Sequence, residues 1–427
     1  MVKKKENNMR NSVRNVMCFA MVACMALGAV FAGGKTETSD LSKPKLLVSV
    51  WAGPHADLQK EVSSGFEKAI VTIDDVDYGN LKQKQLTSFQ SVSGSGNYDV
   101  VWVNSQWMKE YTDAGYLLPI DGYIKEAGID TSIYAKGLFD GCVFNGQTYG
   151  LPTYAQTMII AYDSEVFKKE GIAVPKNADE LIAVAKYFKE KGTGIALPAK
   201  QGTAAVTLFS QLLFSDGGYY FDSKGNLDIA NDKAIQAAAI YDELVKYSVE
   251  GALAWHHDEV AEAVRMKDAP IGLIMSGLAN QNADPEKSLI VDSVKYAPLT
   301  GRSGIAAATN SFWVWAVAKN SANPQAAADY VMWMTSYDVE KKQTLADQQV
   351  SAINELSEDP EILAKAPFLP AVMQQLAAGK IDPPLANFGK LKAALVVSLS
   401  EIASSDSAPA DVMKRLQSDL QNVDFSK

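Results

Sequence analysis

Histidine and cysteine are scarce: the 427 residues include three of each. Cys18 and Cys24 fall within the first 32 residues, so a chain cut after Ala32 keeps only Cys142. One thiol forms neither an internal disulfide nor a multi-cysteine metal site, and Cys142 reads as a small buried hydrophobe. The histidines are His55, His256 and His257. The adjacent pair precedes Asp258-Glu259 and invites a metal reading. Neighbours on a helix point about 100° apart and share no face, and the i, i+4 spacing of a zinc-binding HExxH is absent. A solvated helix start is the better reading. There is no GxSxG elbow, no Walker loop and no GxGxxG after a strand. Gly94-Ser95-Gly96 is too short and polar to cradle a phosphate. No pair of carboxylates stands out for glycoside cleavage. The sequence calls for no cofactor, no metal and no catalytic residue.

Long apolar runs are also missing after the N-terminus. That terminus carries Lys3, Lys4, Lys5, Arg10 and Arg14 against one acid, Glu6. Val16 to Phe31 then run apolar and end in Val30-Phe31-Ala32 before Gly33-Gly34. A basic head, a short apolar run and small residues at a cleavage point are the three parts of a secretory signal peptide. The apolar run is shorter than the roughly 20 residues that span a bilayer, so residues 1–32 read as a cleaved signal. Met21-Val22-Ala23-Cys24 offers a competing lipid anchor through Cys24, although Met25 to Ala32 stay mostly apolar. Cleavage takes away five of the 40 basic residues and one of the 50 acids, moving the net charge from −10 to −14. A chain so acidic repels nucleic acid and anionic lipid.

What remains alternates strands and helices. Lys45 to Trp51 (KLLVSVW) reads as a buried strand. A helix follows Gly53-Pro54 with Leu58, Val62, Phe66 and Ala69 on one face. Asp99 to Val103 is a second strand, turned at Asn104-Ser105 into another helix. Asn177 caps a helix with Leu181, Val184, Ala185 and Phe188 on its inner stripe. Ile271 to Met275 and Phe312 to Ala318 are further strands. Asn323-Pro324 opens a helix with Ala327, Tyr330, Val331 and Met334 facing inward. Strands separated by helices argue for an α/β fold with parallel sheets covered on both faces. The length favours two lobes, and the lack of a low-complexity linker suggests that the chain crosses between them more than once.

In open α/β sheets, ligands sit outside the carboxyl ends of the strands. Trp51 ends the first strand, with His55 and Asp57 just after it. Gln106 and Trp107 follow the second; Tyr154 and Gln156 follow Gly150-Leu151-Pro152; Ser276 and Gly277 end the strand at 271–275. Flat rings stack on the C–H faces of a sugar, while amides and hydroxyls bond its rim. Trp102 and Trp333 read as core.

These segments resemble the extracellular solute-binding proteins of ATP-driven importers, in the branch that includes maltose-binding protein. The resemblance is carried by Val48 to Phe66, Tyr98 to Asp121, Tyr149 to Gly171, Val174-Pro175 before Asp179-Glu180-Leu181, Asp216-Gly217-Gly218, Phe312 to Tyr330 and the helical C-terminus from Glu355. It implies a two-lobed periplasmic-binding-protein fold of type II character, with 45–152 and 312–350 in one lobe and 153–305 and 352–427 in the other. It implies a ligand cleft between the lobes, closed by hinge bending. The site residues it implies are the turn after Trp51, Gln106, Trp107, Gln156, Ser276-Gly277, Asn310 and Asn387. Gln106 and Gln156 stand where the maltose branch uses acids, and Leu278-Ala279 replace an aromatic, which leaves the ligand open. The function implied is capture of a small neutral polar ligand, a mono- or oligosaccharide, by a monomer outside the cytoplasm that delivers it to the permease subunits of an ABC importer. The competing readings are a secreted polysaccharide-active enzyme, or the same fold binding a polyamine, a peptide or a metal complex.

Overall fold

The structure is a computed structural model and describes residues 43–92, 97–309, 311–383, 385 and 387–425. The signal segment with Cys24, the loop Gly94-Ser95-Gly96 and Asn310 lie outside the described residues. Among the described residues ten strands are formed: β1 (Lys45–Trp51), β2 (Ile70–Val76), β3 (Val100–Asn104), β4 (Val143–Phe144), β5 (Gln147–Thr148), β6 (Leu151–Gln156), β7 (Met158–Asp163), β8 (Ile271–Met275), β9 (Val294–Pro298) and β10 (Ser311–Val317). Five of them make one sheet in the order β2-β1-β3-β10-β6. Three make a second, β8-β7-β9, and β4 with β5 is a separate hairpin.

The expectation of parallel sheets holds only in part. β1 runs parallel to β2 and β3, but β10 is antiparallel to β3 and to β6. The second sheet is antiparallel throughout. The reason is topological. β10 arrives from the second sheet and so enters the first at the edge where β3 ends, with Trp313 opposite Asn104. The carboxyl ends of β1, β2, β3 and β6 and the amino end of β10 therefore share one edge. In the second sheet the start of β7 lies opposite the ends of β8 and β9, with Met158 paired to Met275 and Ile159 to Pro298.

The two sheets are joined at these edges. Only Thr157 separates β6 from β7, and it is fastened to the second sheet: the Ser276 backbone N–H donates to the Thr157 carbonyl at 2.9 Å. The resemblance implies a change of lobe at 152/153. β6 stays hydrogen-bonded to β10 through Gln156, with Ser311 opposite it, so the chain leaves the first sheet at Thr157. It returns through 299–309, where Ala308 and Thr309 run beside Gln375 and Lys380. It departs again after Val350, which bridges Ala155.

Local signals explain most elements. Asn177 accepts from the Glu180 N–H at 2.9 Å, and Leu181, Val184, Ala185 and Phe188 are the buried face of Ala178–Glu190. Ala327, Tyr330, Val331 and Met334 are buried along Pro324–Met334. The helix after β1 is shorter than its pattern. It ends at Ser63, and Phe66 and Ala69 are buried from the loop beyond it. Trp102 is fully buried, whereas Trp333 is half-buried against Phe66. Cys142 is a buried free thiol. Among the described residues, no helix is long and apolar enough to cross a membrane.

Candidate ligand-binding cleft

The shared edge of the first sheet carries a contiguous aromatic surface. Trp51, the last residue of β1, stacks on Trp313 at 5.6 Å with 16° between the planes, and Trp313 stacks on Trp102 at 4.4 Å. Tyr78, at the start of the helix Tyr78–Gln90 behind β2, lies 5.6 Å from Trp51 and stacks on Trp107 at 5.9 Å. Exposure rises along this series. Trp102 is sealed and Trp313 is 4% exposed, Trp51 and Trp107 are half-buried, and Tyr78 is 47% exposed. Rings packed this way hold one another rigid, so outer faces meet a ligand at little entropic cost.

Polar groups gather at the same edge. Asn104 caps the 3-10 turn Ser105–Trp107 by accepting from the Gln106 N–H, which sets Gln106 and Trp107 just beyond β3. The Gln106 amide donates to Asp382 at 3.3 Å. Asp382 also pairs with Lys392 at 2.6 Å and accepts from the Tyr220 hydroxyl at 3.3 Å. His55 opens the helix Pro54–Ser63; its Nδ1 lies 2.8 Å from Asp347 and its ring 5.0 Å from that of Tyr154. Gly277 comes against Tyr154 and Gln156 so closely that an added Cβ would sit 2.7 Å from the Tyr154 hydroxyl and 3.1 Å from Gln156 Oε1. Ser276 is buried, and its hydroxyl accepts from the Thr157 N–H at 3.3 Å. On the second sheet's side, Asn280 donates to the Asp347 carbonyl at 3.5 Å.

Behind Tyr154 lies a buried carboxyl. Glu340, from the helix Tyr337–Asp347, accepts from Thr153 and is pushed up to about 7, first by burial and then by the Asp347 charge, against the hydrogen bonds of Thr153 and Ser351. Burial likewise raises the Tyr154 and Tyr78 phenols, keeping both neutral and able to donate.

The structure thus brings together Trp51, His55, Gln106, Trp107, Tyr154, Gln156, Ser276 and Gly277. Two others fall elsewhere. The Asp57 carboxylate is 80% exposed and pairs with Lys60 on the surface of its own helix. The Asn387 amide is committed to the Asp424 carbonyl at 2.6 Å. The C-terminal-loop residue that meets Gln106 is Asp382, five positions earlier. Sequence reasoning also missed Tyr78, Trp313 and Asp347. The first follows β2, whose two aspartates mask the strand signal, and the other two reach the edge only through long-range crossings. His256 and His257 do start a helix, with Glu259 accepting from the His256 N–H. His257 is not solvated as expected; burial and the His256 charge bring it down to about 4. No group of metal-ligating residues occurs among the described residues.

A hollow of about 360 Å³ opens away from this edge, between Asp163, Glu170, Phe188, Lys191 and Lys267. Its charged groups are already engaged: Asp163 with Lys267, Glu170 with Tyr187, and Lys191 over the Tyr187 ring. The outward aromatic faces are at the sheet edges, and that is the candidate site.

Comparison with known proteins agrees with this architecture. The chain is 24% identical over 378 residues to the "probable amino-acid ABC transporter periplasmic-binding protein" of Sinorhizobium fredii, covering 82% of this chain and 84% of that one. It is 22% identical over 386 residues to the mannitol-binding protein of Pseudomonas aeruginosa, covering 86% and 84%. Among solved structures, maltose-bound MalE3 of T. maritima superposes with a TM-score of 0.75 at 19% identity, over 88% of this chain and 99% of that one. The fold is that of the two-lobed, type II-like periplasmic binding proteins. The family model for bacterial extracellular solute-binding proteins matches residues 52–341, and the chain belongs to that family.

Proposed function

We propose that this protein captures a neutral polyhydroxy solute, a sugar or sugar alcohol, in the cleft between the two sheet edges and delivers it to an ABC importer. The observation that carries the reading is the composition of the cleft. Outward faces of Trp51, Tyr78 and Trp107 stand beside the uncharged amides of Gln106 and Gln156. The charged groups there are already engaged: Asp382 is paired with Lys392, and Asp347 is hydrogen-bonded with His55 and by the Gln349 backbone N–H. A charged ligand needs an unpaired opposite charge. A sugar needs flat apolar faces and groups that both donate and accept. Binding of mannitol by one relative and of maltose by one structural neighbour supports the same class.

The two lobes of this reading are the first sheet with its helices and the second sheet with the C-terminal helices, hinged at Thr157, at 299–309 and after Val350. Shifting such a hinge from 1:99 to 99:1 closed takes about 5.5 kcal/mol of differential binding. A micromolar ligand supplies about 8 kcal/mol in all, so contacts from both lobes are required. Transport subunits then recognise the closed form. The protein acts as a monomer, without metal, cofactor or turnover, after export and removal of residues 1–32; a lipid on Cys24 is the other form that export would take. Calorimetry with sugars and polyols, beside a turnover assay on the same compounds, tests the reading. Steady product formation by the pure protein would replace it with the enzyme reading.

A further inference from the structure

The two nitrogens of His55 have different surroundings. Nδ1 lies 2.8 Å from Asp347 Oδ2, and the Gln349 amide nitrogen sits against the same carboxylate oxygen and ring nitrogen. Among the described residues, no protein group hydrogen-bonds Nε2. The His55 side chain is nevertheless only 23% exposed, and its ring lies 5.0 Å from Tyr154 and 6.1 Å from Trp51, inside the aromatic surface of the cleft. An ionised carboxylate only accepts, so Asp347 favours the neutral ring with its hydrogen on Nδ1, against the Gln349 amide nitrogen, a donor that favours the hydrogen on Nε2; in the form set by Asp347, Nε2 keeps its lone pair. A half-buried acceptor without a partner, oriented by a second residue, is the arrangement of a recognition group rather than of a packed core ring.

Asp347 is itself held. Its other oxygen accepts from the Gln349 backbone N–H at 3.0 Å. The turn that makes this possible puts Gln348 at a left-handed φ of 60°, a conformation that non-glycine residues adopt only at a cost. Asp347 also receives Asn280 from the second sheet's side on its carbonyl. One residue therefore orients a cleft side chain and touches both halves.

We infer that Asp347 is a positioning residue for ligand recognition: it holds His55 in the Nδ1–H form, so that Nε2 accepts a hydrogen bond from a ligand hydroxyl. The inference rests on the polyol reading above. It adds a selectivity rule, since a ligand whose hydroxyl at this point is replaced by an ether oxygen or a methyl group leaves Nε2 unsatisfied.

The test is nitrogen-15 NMR of the imidazoles in the full exported chain, with His55→Gln identifying the His55 signals among the three histidines. D-mannitol and maltose are the probes. At about pH 8, above the range where imidazoles ordinarily titrate, the free protein should show His55 protonated at Nδ1 only. Adding whichever probe calorimetry shows to bind should move the Nε2 resonance. Asp347→Ala should release the ring to a mixture of the two forms and weaken binding about tenfold, with Asp347→Asn, which keeps an acceptor oxygen, recovering part of the loss. An Nε2–H form in the free protein overturns the inference while sugar binding stands, as does an Nε2 resonance unmoved by a bound probe. Binding by charged solutes alone overturns the sugar reading; the Nε2 resonance still reports whether His55 meets what is bound.

Discussion

The Gln106 side-chain amide donates to Asp382 at 3.3 Å and so links the edge of the first sheet to the loop before the helix Phe388–Ser404. Asp382 is also anchored by Lys392, so in the proposed cleft this contact would run from one wall to the other from a fixed base. A ligand that uses Gln106 has to exchange with it. Gln106→Ala should weaken binding by about 1–2 kcal/mol and reduce the compaction seen by small-angle scattering on saturation. Gln156→Ala should do the same from the hinge, because a contact made mainly in the closed state biases that state. Full affinity in both variants would place the ligand elsewhere.

The aromatic surface separates into support and contact. Trp313 is buried between Trp51 and Trp102, so Trp313→Ala should lower the melting temperature sharply, by about 3–5 kcal/mol of stability. Tyr78→Ala and Trp107→Ala should leave the melting temperature nearly unchanged and weaken sugar binding by about 1–3 kcal/mol. Trp51 shares both roles and should show both effects. Calorimetry and thermal unfolding on one set of variants check the division; unchanged affinity in Tyr78→Ala and Trp107→Ala would contradict it.

Gly277 faces Tyr154 and Gln156 with no room for a methyl group. Gly277→Ala should therefore prise the second sheet's loop from the hinge strand and lower affinity at least tenfold, roughly the cost of overpacking at 1–3 kcal/mol. A crystal structure of the variant with an unshifted loop, or an unchanged affinity by titration, would refute this.

Glu340 gives a pH dependence with a definite sign. Its carboxyl is raised to about 7 in the folded protein, so the folded state holds its proton more tightly than the unfolded one. Below the ordinary carboxylate range both states are protonated and nothing is lost. As pH rises through that range toward 7, stability falls, approaching about 3 kcal/mol at full ionisation. Glu340→Gln should be nearly as stable as wild type at about pH 4 and more stable at about pH 8. Denaturant melts at the two pH values measure this, and a variant less stable at the higher pH would reverse the assignment.

Much of the frame was legible because it is local. Asn177 with Leu181, Val184, Ala185 and Phe188 declares a capped helix within twelve residues, and the apolar run at β1 declares a buried strand. β2 was not legible: Ile70 to Val76 is an edge strand with Asp74 and Asp75 in it, and such charges protect an edge while masking its signal. Strand direction was not legible either, since β10 is antiparallel only because the chain has crossed to the second sheet and returned. The same distinction runs through the cleft. Trp51, Gln106, Trp107, Gln156 and Gly277 announce themselves by standing at strand ends. Asp347 reaches His55 across 292 positions and Asp382 reaches Gln106 across 276, and no pattern in either neighbourhood foretells the pairing.

The central claim, that the cleft holds a neutral polyhydroxy solute, is tested most directly by titration calorimetry of the exported chain against D-mannitol, ribitol, maltose, arabino-oligosaccharides, free amino acids and spermidine. The account predicts saturable one-to-one heat from at least one of the sugars or polyols, and none from the amino acids or the polyamine. Saturable binding confined to the amino acids or to spermidine would contradict it.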